Sequence, residues 1–201
     1  AFVAAALLVP AARAEPPARF PDPERPLVQL GLDSWTTDQG LPNATVNSIL
    51  LSRQGYVWLA TYDGLARFDG TRFVVFGKGD GLAGNGVRAL CEGVDGSVWA
   101  GTNGGGVSRY RGGRFAHFGR AEGLPSEMVW SLLADRRDGA IWIGTNGGGL
   151  ARLSGERIER FPRELSGATI TALAQGEDGA IWIGAGADGL LFREIHRLGL
   201  L

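Results

Sequence analysis

One cysteine in 201 residues, Cys91, excludes an internal disulfide. Neither sign of charge predominates: 20 Lys+Arg against 21 Asp+Glu give a net charge of −1, with no long run of either. A nucleic-acid backbone or an anionic membrane surface needs clustered positive charge, so neither is expected as the main partner. No apolar run reaches the roughly 20 residues of a membrane-spanning helix. The two histidines, His117 and His196, are far apart, with no Cys or carboxylate at ligand spacing. Neither a metal site nor a cofactor is therefore expected. Helical periodicity is missing, and no Ser stands in a nucleophile-elbow context.

Glycine is abundant instead, 33 of 201 residues against an ordinary fraction of about 7%. It recurs at the same places in a sequence written four times. The copies are VNSILLSRQGYVWLATYDGLARF (46–68), VRALCEGVDGSVWAGTNGGGVSRY (87–110), VWSLLADRRDGAIWIGTNGGGLARL (129–153) and ITALAQGEDGAIWIGAGADGLLF (170–192). Their tryptophans, Trp58, Trp99, Trp142 and Trp182, stand 41, 43 and 40 residues apart. A period near forty denotes one supersecondary unit repeated. Cys91 aligns with Leu50, Leu133 and Ala174, apolar strand positions, and reads as a small core residue.

Each copy holds four strand signals separated by turn chemistry. The first turns are Gln54-Gly55, Asp95-Gly96, Asp138-Gly139 and Asp178-Gly179; Asp69-Gly70, Gly112-Gly113 and Ser154-Gly155 stand at the third. Such dipeptides between strand-like runs signal tight hairpins, which need positive φ. Four antiparallel strands per forty residues predict an all-β fold, a β-propeller of four-stranded blades. Blades are expected at about 46–76, 87–118, 129–161 and 170–201. A buried indole removes roughly 150–250 Å² from water, on the order of 5 kcal/mol gross, so each Trp is expected between neighbouring blades. Gly55, Gly96, Gly139 and Gly179 are the matching structural turn residues.

Between copies runs a second signature: Trp35-x4-Gly40-Leu41-Pro42, Phe76-x4-Gly81-Leu82 and Phe118-x4-Gly123-Leu124-Pro125. At the fourth junction Glu164-Leu165 replaces Gly-Leu, and a differently shaped loop is expected there. The composite, Gly-Leu-Pro-x3-Val-x2-Ile followed by Asp-Gly-x2-Trp-x-Gly-Thr-x2-Gly-Leu, resembles the two-component regulator propeller repeat over residues 35–193. That family occurs in the exported sensor portion of hybrid histidine kinases and some diguanylate cyclases. The resemblance implies seven-bladed propellers, often in tandem, followed by a β-sandwich, a membrane span and a cytoplasmic signalling enzyme.

Residues 1–14 hold an apolar run broken by Pro10 and followed by Ala12-Arg13-Ala14, which reads as the C-terminal part of a secretory signal peptide. A periplasmic or otherwise extracytoplasmic protein follows, its parent anchored in the inner membrane. Residues 15–29 read as a Pro-rich linker, and 30–201 as the propeller repeats. Residues 30–35 match a fourth, outer strand yet precede the first blade. They are an orphan, expected in an open, incomplete part of a seven-bladed ring; the alternative is four blades clasped by 30–35.

In a meander alternate loops fall on opposite faces, so the inter-blade loops and the second turns share one face and the Asp-Gly hairpins the other. Loops on a rigid scaffold carry binding. Tyr62, Asp63, Asn103, Asn146 and Asp188 from the second turns, with Asn43, Asn85 and Glu127 from the inter-blade loops, are the candidate ligand-binding residues. They suit a small polar ligand such as an oligosaccharide. Asn and Asp also favour turns through bonds to their own backbone. Asn-Gly-Gly-Gly (103–106, 146–149) precedes a strand rather than a helix, so it is a turn and not a phosphate loop. No catalytic residue is nominated. The expected function is a periplasmic ligand-sensing domain, a fragment of a transmembrane receptor with downstream signalling domains and a possible homodimer. The alternatives are an exported carbohydrate-active lyase or glycosidase and a protein-interaction scaffold.

Overall fold

The computed structural model describes residues 33–161, 165–186 and, for the backbone alone, 190–193. The expected signal peptide, linker and half of the orphan strand (30–32), together with Glu164, Asp188, His196 and residues 198–201, lie outside the described residues.

Alternating short apolar runs and positive-φ turns produce four antiparallel meanders. The first blade is β1 (Val46–Leu51), β2 (Val57–Thr61), β3 (Gly64–Phe68) and β4 (Phe73–Phe76). The second is β5 (Val87–Glu92), β6 (Val98–Thr102), β7 (Val107–Arg111) and β8 (Arg114–Phe118). The third is β9 (Val129–Ala134), β10 (Ile141–Thr145), β11 (Gly149–Ser154) and β12 (Arg157–Arg160). The fourth contributes β13 (Ile170–Gln175), β14 (Ile181–Ala185) and β15 (Leu190–Arg193). Within each blade the strands pair in sequence order. The first strands neighbour one another, β1 beside β5, β5 beside β9, β9 beside β13, and so form the inner row of a β-propeller.

The core lies between blades. Trp58 packs with Leu82, Val87, Val98 and Ala100 of the next repeat, and its ring lies 5.1 Å from that of Tyr110. Trp99 meets Val129, Leu132, Ile141 and Ile143 in the same way, and Trp142 meets Ile170, Ile181 and Ile183. A guanidinium on the third strand, register partner of the Trp, covers each ring: Arg67, Arg109 and Arg152 at 5.9, 5.5 and 5.4 Å. These three indoles are 2, 5 and 3% exposed. Trp182, with no following sheet among the described residues, is 37% exposed.

One glycine position shows how closely blades approach. A Cβ on Gly101, in β6, would stand 2.5 Å from Val129 Cγ1 of the following inner strand. The Trp-x-Gly-Thr spacing therefore leaves room for the neighbour. Another glycine shapes the junctions. Gly81 ends a single 3-10 turn at φ 100, a left-handed conformation cheap only for glycine; Gly40 ends another, and Gly123 closes a hydrogen-bonded turn at φ 103. The leucine after it, Leu41, Leu82 or Leu124, is buried; so is Leu165 at the divergent fourth junction. Trp35 packs edge-on against Phe68, with ring centroids 4.9 Å apart.

Candidate functional site

Second turns and inter-blade loops do occupy one face, because they hydrogen-bond to each other. Asn103 N–H donates to Gly86 O (2.7 Å), and the Gly104 and Gly106 N–H groups donate to Glu127 O of the following loop. Asn146 N–H donates to Met128 O, and Gly149 N–H to Ala168 O. Beneath each turn a buried threonine hydroxyl latches it shut: Thr61 to Gly64 O, Thr102 to Gly106 O, Thr145 to Gly149 O, at 2.8, 2.9 and 2.8 Å.

On this frame the candidate residues divide by what they touch. Asn43 Nδ2 donates to Asp63 Oδ2 at 2.7 Å, and Asn43 Oδ1 accepts from Thr45 N–H. These two are brought together, with Tyr62 exposed beside them. Asn85 Oδ1 accepts from Lys78 N–H (2.9 Å), and Glu127 Oε1 from Arg120 N–H (3.4 Å), at matching places in successive loops. Asn146 Oδ1 accepts from Thr169 Oγ1 (2.8 Å), while Asn103 is exposed. The acceptor oxygens of Asn43, Asn85 and Glu127 are therefore already bonded to loop backbone, as turn chemistry demands. A further acceptor repeats unnoticed in the sequence. Gln39, Asp80 and Glu122 each reach back three residues to a backbone N–H, at 2.7, 2.9 and 2.7 Å. The signal was present as the residue before each junction glycine.

Two successive loops frame an open cleft of about 510 Å³ lined by Lys78, His117, Arg120, Glu122 and Glu127. His117 Nδ1 lies 3.3 Å from Ser108 Oγ, which accepts from Ala83 N–H. The cleft offers both signs of charge to a polar ligand. Its two carboxylates are engaged with backbone rather than with each other. Among the described residues no cluster of His, Cys, Asp and Glu able to hold a metal occurs.

Carboxylates held below their ordinary pKa sit on the opposite, hairpin face. The Ser97 hydroxyl holds Asp95 below its ordinary value. Burial opposes ionisation of Asp135. Hydrogen bonds from Arg137, Trp142 and Gln175 outweigh it and bring the pKa to about 2. Inter-blade ties cluster there too: Arg53 reaches Glu92 and Val94 O, and Arg136 reaches Gln175 and Gly176 O. That face fastens blades together.

The sequence reading missed a third group. In all four blades the first strand skips a register step at its second residue, a β-bulge. The residues there are Asn47, Arg88, Trp130 and Thr171. Aligning the four copies would have exposed this position as one where unlike chemistries share a single place.

Residues 40–63, 81–104 and 123–147 match the family model described as two component regulator propeller. Among solved structures, the extracellular domain assigned to a hybrid two component system of B. thetaiotaomicron is similar at 20% identity and TM-score 0.65, over 78% of this chain and 23% of that one. Streptogramin B lyase is similar at 18% identity and TM-score 0.61, over 77% of this chain and 56% of that one. Likeness at these identities is likeness of fold. The chain spans about a quarter of the length of the B. thetaiotaomicron domain. The search of curated proteins returned no match.

Proposed function

From a chain that carries two component regulator propeller repeats, we propose a ligand-sensing domain of an exported signalling receptor. The observation that carries the reading is the match at three successive repeats. The likeness to an extracellular domain of a two component system supports an exported location. The loop face, with the Asn43–Asp63 pair and the cleft between successive loops, is the ligand surface. Its ligand is a small polar molecule, an oligosaccharide by the amides and carboxylates on offer. Binding there bears on two blades at once, since the second turns of the second and third blades donate to the loops that lead into the next blade. A ligand that prefers one blade spacing shifts the population toward it. A kinase or cyclase domain in the parent, or a second copy in a homodimer, reads that shift.

The test is a thermal-shift and calorimetric screen of the full chain against neutral and acidic oligosaccharides. A saturable shift that Asp63→Ala weakens supports sensing on this face. Turnover of the saccharide supports an exported lyase or glycosidase instead. Binding of a macromolecule with no small-ligand shift supports a scaffold.

A further inference from the structure

A propeller blade needs its tryptophan and its first-turn glycine, and the repeats keep both. The bulge residue is under no such demand, since Asn47, Arg88, Trp130 and Thr171 all fit the same backbone. Bulges re-aim a side chain and give up a ladder pair to do so. Here the pair is given up four times, at one level of the inner row. That level is at the loop face: the bulge lies one residue past Val46, Val87, Val129 and Ile170, whose partners Thr61, Thr102, Thr145 and Ala185 open the second turns.

Two of the re-aimed side chains, Asn47 and Arg88, reach into the next blade. Asn47 Nδ2 donates to Val87 O of the next inner strand at 2.8 Å. The Arg88 guanidinium carbon stands 4.7 Å from the centre of the Trp130 ring, again in the next blade. Thr171 turns its hydroxyl to Gly184 O. Among the described residues two donor groups lack an acceptor. Trp130 Nε1 is buried with no hydrogen-bond partner there. Arg88 has no carboxylate partner among the described residues, in contrast to Arg53, Arg111 and Arg152, which do. A buried donor left unpaired costs free energy that a ligand acceptor recovers.

The geometry points to a binding site at the inner-row mouth for a small hydroxylated carboxylate, a sugar acid. Its carboxylate is taken by the planar Arg88 fork and the Trp130 indole N–H. Its hydroxyl-bearing body lies toward Asn47 and Thr171. This rests on the sensing reading above and adds the ligand class and the residues that recognise it.

The experiment titrates the full chain with D-glucuronate, D-glucose and, at matched ionic strength, sulfate, following tryptophan emission and heat. Glucuronate saturates; Arg88→Gln and Trp130→Phe each weaken it about tenfold or more while the melting midpoint holds, and Arg88→Lys falls between. Arg72→Gln, on an exposed hairpin, leaves it unchanged. Absence of saturable glucuronate binding, equal affinity for glucose or sulfate, or wild-type affinity in Arg88→Gln overturns the proposal. A neutral oligosaccharide whose binding survives Arg88→Gln but falls in Asp63→Ala removes the inner mouth as the site and leaves loop-face sensing standing.

Discussion

Asp135 lends itself to a quantitative test because it is a buried carboxylate, 1% exposed, in a place where the other repeats carry Ser52, Gly93 and Gly176. It joins two blades: Trp142 Nε1–H and Arg137 donate from its own, and Gln175 Nε2–H from the next at 2.8 Å. Burial favours the neutral acid, but the donors prevail and lower the pKa from 3.8 to about 2. A folded-state value below the unfolded one gives stability that is complete above about pH 4 and is lost as pH falls through about 2. At roughly 1.4 kcal/mol per unit the contribution is about 2 kcal/mol at neutral pH, with roughly half gone by pH 3. Urea unfolding followed by tryptophan emission at pH 7 and pH 3 reads it, with Asp135→Asn as the reference. Wild type should exceed the variant by more at pH 7 than at pH 3, by about 1 kcal/mol. An equal difference at both pH values would refute preferential ionisation in the folded state.

Trp58→Ala should cost about 3–5 kcal/mol in the same assay, and Trp182→Ala clearly less, because its ring is already 37% exposed. Equal losses would contradict burial between blades. Gly101→Ala should destabilise by about 1–3 kcal/mol through the 2.5 Å approach to Val129 Cγ1. Val129→Ala in the same chain should recover part of the loss in a double-mutant cycle, and strict additivity would count against the contact. Burial pushes the Cys91 thiol from 9.0 up to about 12. Its alkylation by iodoacetamide, followed by mass spectrometry, should therefore run on the order of a thousandfold slower than in the urea-unfolded chain.

The scaffold was legible because its demands repeat. A Trp at each copy's second strand, a small residue two positions later (Ala60, Gly101, Gly144 or Gly184) and a buried Leu at each junction are steric requirements of one blade lying on the next, and such requirements recur wherever blades meet. Cys91 as a small apolar residue follows from the same alignment, and it packs at the edge of the core between the second and third blades. What stayed hidden depends on pairs of strands or on side-chain partners. The bulges at Asn47, Arg88, Trp130 and Thr171 are properties of register between two strands, and no single strand's pattern encodes a skipped step. A loop sequence likewise does not disclose that Lys78 and Arg120 N–H donate to the oxygens of Asn85 and Glu127. Asp135 was hidden for the opposite reason: it departs from its counterparts, and its partner Gln175 is forty positions away. In a molecule built by repetition, identity among copies reports what holds the blades together. Individual chemistry is carried where copies disagree, and the row Asn, Arg, Trp, Thr is such a disagreement, set on the face where the loops gather.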